Sequence, residues 1–338
     1  MNNNISQGAE RSYNYTNGRV SVLSLRLLSK DKLVKAVESG GLSGALKILY
    51  EANYADGTTV KDPNDYEKIL KREWDNILDF VENQSAEKAA TDCFLLASDI
   101  HNLKILMKQK YLRLPESGVP FERGLFCAES IASQILNDEY SFLPKEITSA
   151  LEQIDKEFYS GSRKPAVIDA LLSRAYYKTV KRFLKKCKSP QVKDYFVKEI
   201  DGKNILSLFR VKKAGLEQDY FDRMFIEGGK LSRQTLDTVL IEPEKATDLF
   251  YEDWKEIIKS ALDEFKNSTA FSKTEVLLKK MQRDIIFPHK SDVDGILPLI
   301  NYFLAKKTEI ENLRTIFVCL KNKIDKDKIM ERLRELYV

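Results

Sequence analysis

The sequence predicts an all-α protein made of three homologous helical domains, and three observations support the helical repeat. Turn-forming residues are scarce. The 338 residues include only 14 glycines (4.1%) and 9 prolines (2.7%), whereas proteins contain about 7% glycine and 5% proline on average. Apolar residues recur at steps of three and four along most of the chain, which is the period of a helix with one buried face. A short motif also occurs in three copies. Because single cores stop growing at about 250–300 residues, two or three domains are expected.

Helical periodicity is clearest in the first hundred residues. Short stretches rich in glycine, serine and aspartate interrupt runs in which apolar residues recur every three or four positions. Trp74 falls on the apolar face of the longest run. The predicted helices cover residues 20–34, with a break near Ser29, then 42–50 and 65–83, with turns at 38–41 and 55–57.

The repeated motif reads acid, two spacers, asparagine and aliphatic residue. It occurs as Asp99–Leu103, 102 positions later as Asp201–Ile205, and 108 positions further on, in a weaker copy, as Glu309–Leu313. The first offset also aligns Trp74 with Tyr176, which indicates shared core packing. The period is far longer than the roughly 20–50 residues of a solenoid unit, so each copy is expected to be a domain. The predicted domains cover residues 1–113, 114–217 and 218–338.

Each motif pairs an acid with an asparagine three residues later, and these pairs are candidate functional residues. We expect a helix start at each motif, where the acid caps or complements the positive N-terminal end and the aliphatic residues face inward. A buried asparagine must satisfy its donors and acceptors. A packing and capping role is therefore favoured, and a ligand site is kept as the alternative interpretation. The signature residues are Asp99, Asn102, Asp201, Asn204, Glu309 and Asn312.

Composition argues against several classes of protein. With 55 Lys+Arg against 51 Asp+Glu, the formal net charge is +4, too balanced for a dedicated nucleic-acid-binding protein. An apolar content of 43% argues against a disordered chain. The four cysteines form no CxxC pair, so neither a disulfide framework nor a zinc site is expected. The N-terminus is polar and no long apolar window occurs, so we expect a cytosolic chain that does not itself span a membrane, although a peripheral position on a membrane complex stays open.

No catalytic motif is visible. The two histidines, His101 and His289, have no partner at catalytic or metal-ligand spacing. Motifs for phosphate binding, dinucleotide binding and zinc proteolysis are absent from the sequence. The pairs Gly40-Gly41 and Gly228-Gly229 are interpreted as turns or helix ends. We therefore predict a protein that is not an enzyme and uses neither a metal nor a cofactor.

Basic residues that follow the signatures are candidate partner-binding residues. The alternative is a solvated helix end, because Lys and Arg are favourable near the C-terminal dipole of a helix, and neither interpretation is preferred. A separate basic run at 181–188 could contact anionic lipid, although a solvated helical face is the simpler interpretation. The candidates after the signatures are Lys108, Lys110, Arg210, Lys212, Lys213, Lys321 and Lys323.

The order of these motifs resembles one known family. The relevant stretches are 13–20, 27–28, 99–104, 201–210, 302–314 and 333–338, which read YNYTNGRV, LL, DIHNLK, DGKNILSLFR, YFLAKKTEIENLR and LRELYV. In this order they are similar to the C subunit of bacterial and archaeal V/A-type ATPases, whose eukaryotic relative is the d subunit. Two positions depart from the pattern. Leu206 stands where the other copies have Lys104 and Arg314, and Lys307 stands where an acid is common.

The resemblance implies a noncatalytic component of a rotary ATPase. Such a component is an all-helical, funnel-like body of three pseudo-threefold-related domains that transmits torque, while partner subunits hydrolyse ATP. The implied partners are the D- and F-type subunits of the central stalk and the proteolipid ring, with no nucleic acid and no homo-oligomer required. The implied location is cytoplasmic, peripheral on the cytoplasmic face of the membrane. The alternatives are a helical scaffold of another cytoplasmic complex and a helical enzyme with an unrecognised site.

Overall fold

The computed structural model describes residues 13–112, 122–161, 164–242, 245, 250, 252–268 and 270–336. Every long regular element within these ranges is an α-helix, so the prediction of an all-α fold is confirmed. The helices are α1 (Tyr13–Ser24), α2 (Lys30–Glu38), α3 (Leu42–Glu51), α4 (Tyr66–Gln84), α5 (Lys88–Leu112), α6 (Ala128–Leu136), α7 (Lys145–Tyr159), α8 (Pro165–Leu184), α9 (Pro190–Lys213), α10 (Gln218–Met224), α11 (Arg233–Ile241), α12 (Glu252–Asn267), α13 (Ser272–Ile286), α14 (Leu297–Lys321) and α15 (Lys326–Met330). Short 3₁₀ turns lie at Tyr54–Gly57, Pro63–Asp65 and Phe287–His289.

Capping residues explain where several helices begin. The predicted helix over 20–34 is divided between α1 and α2, and the break falls at Ser29 as expected. The side-chain oxygen of Ser29 accepts a hydrogen bond from the backbone N–H of Lys32, so Ser29 is the N-cap of α2. Ser189 and Ser232 cap α9 and α11 in the same way. The other two predicted helices correspond to α3 and α4.

One compact unit contains the described residues up to Thr91 and from Phe287 onward. At its centre α14 packs against α1, α2, α3 and α4. The contact between α4 and α14 is aromatic, with ring centroids 5.6 Å apart for Trp74 and Phe303 and 4.7 Å apart for Tyr66 and Phe317. Trp74 is 4% exposed, so its predicted place in the core is confirmed.

The second compact unit contains the described residues of Asp92–Ile286. Within it α7 packs against α8, and α13 packs against both α9 and α12. An apolar cluster surrounds Phe209 of α9 and includes Phe221, Trp254 and Phe271. These contacts make α9 a central element of this unit, as α14 is of the first.

The compact units follow other boundaries than the predicted domains. The divisions fall between Thr91 and Asp92, within the first turn of α5, and between Ile286 and Phe287. The predicted division after residue 113 lies outside the described ranges. The organisation into three domains therefore stays a prediction.

Candidate functional site

The six signature residues lie in the interiors of the long helices α5, α9 and α14. The prediction that each motif starts a helix is wrong, since the three helices begin about three turns before the acids. The acids accept hydrogen bonds from backbone N–H groups of other segments and not from those at the start of their own helices. All six side chains are buried, with exposed fractions of 0% for Asp99 and Asn102 and 1% for Asp201, Asn204, Glu309 and Asn312.

The carboxylate of Asp99 binds two backbone N–H groups that precede α6. It accepts hydrogen bonds from Leu125 N at 2.8 Å and from Phe126 N at 3.3 Å. Phe126 comes directly before Cys127, the N-cap residue of α6. The buried Asp99 side chain therefore fixes the segment that leads into α6 through two backbone hydrogen bonds.

The other two acids bind equivalent positions. Asp201 accepts hydrogen bonds from Lys230 N at 3.0 Å and Leu231 N at 3.1 Å, and Leu231 directly precedes the N-cap of α11. Glu309 accepts a hydrogen bond from Leu28 N at 2.5 Å, and Leu28 directly precedes the N-cap of α2. Each acid thus holds the residue before an N-cap.

The signature asparagines bind backbone groups of a later segment. Asn204 donates to the carbonyl of Ile226 at 2.8 Å and accepts from its N–H at 2.9 Å. Asn312 forms the same pair of bonds with Arg334, at 2.9 and 2.8 Å. Asn102 donates to a carbonyl in the segment before α6 at 2.7 Å. We call each acid–asparagine pair, together with the backbone groups it binds, a latch.

Two glycines let the carboxylates approach the backbone. A Cβ atom on Gly124 would lie 2.4 Å from Asp99 Oδ1, and one on Gly229 would lie 1.9 Å from Asp201 Oδ1. Both distances are far below van der Waals contact, so these positions need glycine. The predicted turn at Gly228-Gly229 is confirmed, and Gly228 has a φ of 112°.

The third latch contains a buried ion-pair network. Lys306 Nζ lies 2.6 Å from Glu73 Oε1 and 2.7 Å from Glu309 Oε1, and 4.9 Å from the ring centroid of Tyr54. Burial raises the pKa of Glu309, although Lys306 opposes this shift. Burial alone would lower the pKa of Lys306, but the carboxylates of Glu309 and Glu73 raise that pKa overall. The lysine is therefore held in its charged form at neutral pH.

Apart from Asn102 Oδ1, which has no hydrogen-bond partner among the described residues, the latch side chains bind polar groups of the protein itself, which fits a packing and capping role. Within the described ranges, no group of three or more His, Cys, Asp or Glu side chains is placed to hold a metal. His289 Nδ1 lies 2.8 Å from Asp292 Oδ2 on the surface, so this histidine has an acidic neighbour that sequence reasoning overlooked. Across the same ranges, no helix is both long and apolar enough to cross a bilayer.

Two predicted partner-binding residues brace α5 against its neighbours. Lys108 Nζ lies 2.8 Å from Asp169 Oδ2 of α8. Lys110 pairs with Asp138 and lies 3.3 Å from Asp155 Oδ1 of α7. Only 16% of the Lys110 side chain is exposed, so most of its donor capacity is used inside the protein.

Three further candidates also bind within the chain. Arg210 pairs with Glu275 of α13, and Lys212 donates to the carbonyl of Ile241 at 3.3 Å. Lys213 donates to two carbonyl groups near the end of α12, at 3.0 and 2.7 Å. Cations favour the C-terminal ends of helices, and Lys213, itself the last residue of α9, also binds the C-terminal end of the neighbouring helix α12.

Lys321 and Lys323 differ from the other candidates. Both are exposed at the end of α14, and neither side chain forms a hydrogen bond or salt bridge with a described residue. They line an open cavity of about 530 Å³ together with residues 39–44 and 63–64. Their charges are therefore available to a binding partner.

Comparison with known proteins decides the family. The model of the family described as ATP synthase (C/AC39) subunit matches residues 16–332. The chain belongs to this family. The predicted membership of the V/A-type ATPase C-subunit family is thereby confirmed.

Relatives of this C/AC39 chain match it over most of their lengths. The C subunit of the A-type ATP synthase of Desulfurococcus sp. is 23% identical over 339 residues, covering 96% of this chain and 91% of the relative. The C subunit of the A-type ATP synthase of Methanococcoides burtonii is 25% identical, covering 96% and 95%. The C subunit of the V-type sodium ATPase of Enterococcus hirae is 20% identical, covering 96% and 99%.

Sequence reasoning on this C/AC39 chain missed four residues that surround the latches. Lys306 and Glu73 were not singled out, because their pairing joins segments far apart in sequence. Gly124 and Gly229 were missed as close-approach positions. A glycine 25 or 28 positions after the motif acid is a signal that could have identified them.

Replacing Asp99 by asparagine should change how stability depends on pH. Burial raises the pKa of Asp99 to about 7, although its backbone hydrogen bonds oppose the shift. An unfolded Asp has a pKa near 3.9, so the folded state holds this proton more tightly. The contribution of Asp99 to stability is full below about pH 4 and is lost as the pH rises through about 7. Between pH 5 and pH 7 the free energy of unfolding should therefore fall by about 2 kcal/mol more in the wild type than in Asp99→Asn.

Urea denaturation at pH 5, 6 and 7 measures this difference. Asp219→Asn is the matched control, because Asp219 is exposed on α10. In this variant the free energy of unfolding should change with pH as it does in the wild type. Parallel pH profiles for the wild type and Asp99→Asn would contradict the prediction.

Proposed function

We propose that this chain is the noncatalytic central-rotor subunit of a V/A-type ATPase, coupling the central stalk to the membrane proteolipid ring. The observation that carries the proposal is the family match over residues 16–332. The proposed partners are the D- and F-type stalk subunits and the proteolipid ring, with no nucleic acid and no homo-oligomer required. The proposed location is cytoplasmic and peripheral to the membrane.

The latches support a role in transmitting torque. Such a role needs a body that deforms little under load. Each latch ties the middle of a long helix to another segment through buried hydrogen bonds, which are costly to break because the separated groups would stay buried without partners. Close packing around the long helices adds stiffness, because protein interiors have low compressibility.

The proposal includes three homologous domains, 1–113, 114–217 and 218–338, in the pseudo-threefold, funnel-like arrangement that the family resemblance implies, and the order of the latches supports a cyclic relation between them. Asp99 of the first predicted domain binds backbone of the second, and Asp201 of the second binds backbone of the third. Glu309 of the third binds Leu28 of the first. This cyclic order is the pattern expected of three repeats that close on one another.

Copurification from membranes tests the proposed function. An affinity-tagged full chain is isolated from gently solubilised membranes of its own cells, and the bound proteins are identified by mass spectrometry. We expect the two stalk subunits and the ring proteolipid. Recovery of a different cytoplasmic assembly without ring or stalk would overturn the proposal.

Reversing the charge of Lys321 and Lys323 should weaken assembly. These are the first of the seven basic candidates to test, because the other five bind within the chain. In the double variant Lys321→Glu/Lys323→Glu, we expect about tenfold weaker retention of partner subunits, since charges at an interface rim act mainly on association and its salt dependence. The control is Lys326→Glu/Lys328→Glu, which reverses two exposed lysines nearby. Equal retention by both variants would contradict a role for the cavity.

A further inference from the structure

A row of cations follows the exposed face of α8 and the turn after it. Steps of three and four place them on one side of the helix, over about 12 Å of its axis. All of them are exposed. We call this set the basic stripe, and it consists of Lys178, Lys181, Arg182, Lys185 and Lys186.

Carboxylates neutralise little of the basic stripe. No acidic residue occurs in the sequence between Asp169 and Asp194. Among the described residues, Arg182 alone of the stripe forms a salt bridge, with Glu146 of α7, at 2.8 Å between Nε and Oε1 and 3.1 Å between Nη2 and Oε2. The four lysines therefore present their charges to solvent.

The fold does not require these cations. The offset of 102 positions that aligns Trp74 with Tyr176 also aligns α4 with α8. The last turn of α4 contains no basic residue, whereas that of α8 contains two. The helix dipole favours cations at this end of α8, but α4 has the aligned place without them, so the repeat does not require the stripe. The residues of α4 aligned with it are Asn76, Asp79, Phe80, Asn83 and Gln84.

The composition of the basic stripe favours lipid phosphate groups over a protein partner. Protein interfaces are depleted in lysine and are anchored by buried aromatic or arginine residues. Four of the five stripe residues are lysines, and no large apolar residue of α8 is exposed beside them. Hydrated point charges in a row suit an anionic membrane surface, where each basic residue contributes about fivefold in affinity.

We propose that the basic stripe binds the anionic phospholipid surface of the membrane. This proposal rests on the proposed function, because attachment to a membrane complex is what would bring α8 close to lipid. The contact is electrostatic and needs no inserted apolar group. It is therefore reversible and sensitive to salt.

The test measures binding of the full chain to vesicles by cosedimentation. The vesicles contain phosphatidylcholine either alone or mixed with phosphatidylserine, at low and at physiological salt. We expect the wild type to bind the mixed vesicles and not the neutral ones, with weaker binding at higher salt. The stripe variant, Lys178→Glu/Lys181→Glu/Lys185→Glu, should bind at least about tenfold more weakly.

A second triple variant separates the stripe from overall charge. It changes the net charge by the same amount but reverses exposed lysines scattered over α2, α3 and α4, and it should bind within about threefold of the wild type. Circular dichroism checks that both variants are folded. The control variant is Lys35→Glu/Lys47→Glu/Lys71→Glu.

Three results would overturn the lipid proposal. The first is that the wild type does not bind anionic vesicles, and the second is that the two triple variants lose binding equally. The third is that the stripe variant binds vesicles normally but loses its partner subunits, which would indicate an acidic protein partner. Failure of the proposed function can be distinguished from failure of the lipid proposal. Stripe-dependent vesicle binding without copurification of stalk or ring would count against the ATPase role and still support lipid binding.

Discussion

Replacing Lys306 by methionine is expected to lower the free energy of unfolding by about 3–5 kcal/mol at pH 7. Lys306 lies between the carboxylates of Glu73 and Glu309 at 2.6 and 2.7 Å, and its side chain is 5% exposed. Without the lysine, the buried carboxylate of Glu309 and the partly buried carboxylate of Glu73 face each other with no cation between them. Breaking a buried ion pair from one side is costly, because the remaining charge is left without compensation.

The pH dependence of the Lys306→Met variant identifies the cause. Burial already raises the pKa of Glu309, and loss of the lysine should raise this pKa further. A raised carboxyl pKa means that stability increases as the pH falls, because the folded state then takes up protons more readily than the unfolded state. The deficit of the variant, meaning its free energy of unfolding below that of the wild type, should therefore shrink as the pH falls from 7 to 5.

Chemical denaturation at both pH values measures the deficit. Lys326→Met, at an exposed position, should change stability by less than about 0.5 kcal/mol. A deficit of the same size at pH 5 and pH 7 would show that lost packing, and not unpaired charge, is the cause.

Replacing Trp74 by alanine should lower the free energy of unfolding by about 3–5 kcal/mol. Trp74 is 4% exposed, and its ring centroid lies 5.6 Å from that of Phe303. The substitution removes a large apolar group from the contact between α4 and α14 and leaves a cavity that the helices can only partly close.

The denaturant midpoint of Trp74→Ala checks this prediction. Trp74→Phe keeps an aromatic ring in the contact and should recover more than half of the loss. Tyr159→Ala is the surface control, because Tyr159 is 72% exposed. A midpoint for Trp74→Ala close to that of the wild type would mean that this aromatic contact contributes little to the core.

The sequence contained enough information to predict the helices and the burial of the signatures. The spacing of the apolar residues and the scarcity of turn-forming residues are local properties of the sequence, and they predicted α3, α4 and the break at Ser29. The placement of the motifs at helix starts was wrong. An acid followed by asparagine and aliphatic residues looks the same at a helix start as in a buried helix interior, because the pattern records the faces of its own helix and not the segment it binds.

The bonding partners of the candidate residues could not be predicted from the sequence. Glu309 binds the N–H of Leu28, far away along the chain, and no periodicity links the two. Lys110 and Lys213 looked like exposed cations at helix ends, yet both reach neighbouring elements. Such contacts depend on which helices become neighbours, which is decided by packing of the whole unit.

The third latch has a consequence for biosynthesis. Glu309 holds Leu28, and Asn17 donates to the carbonyls of Val293 and Gly295 at 3.1 Å, so α1–α4 complete their packing only with α14. A ribosome that adds about 5–20 residues per second needs roughly 10–40 s to travel from the end of α4 to the start of α14. During that interval the apolar face around Trp74 has no α14 to cover it, so the packing of α1–α4 is completed only after α14 has been synthesised.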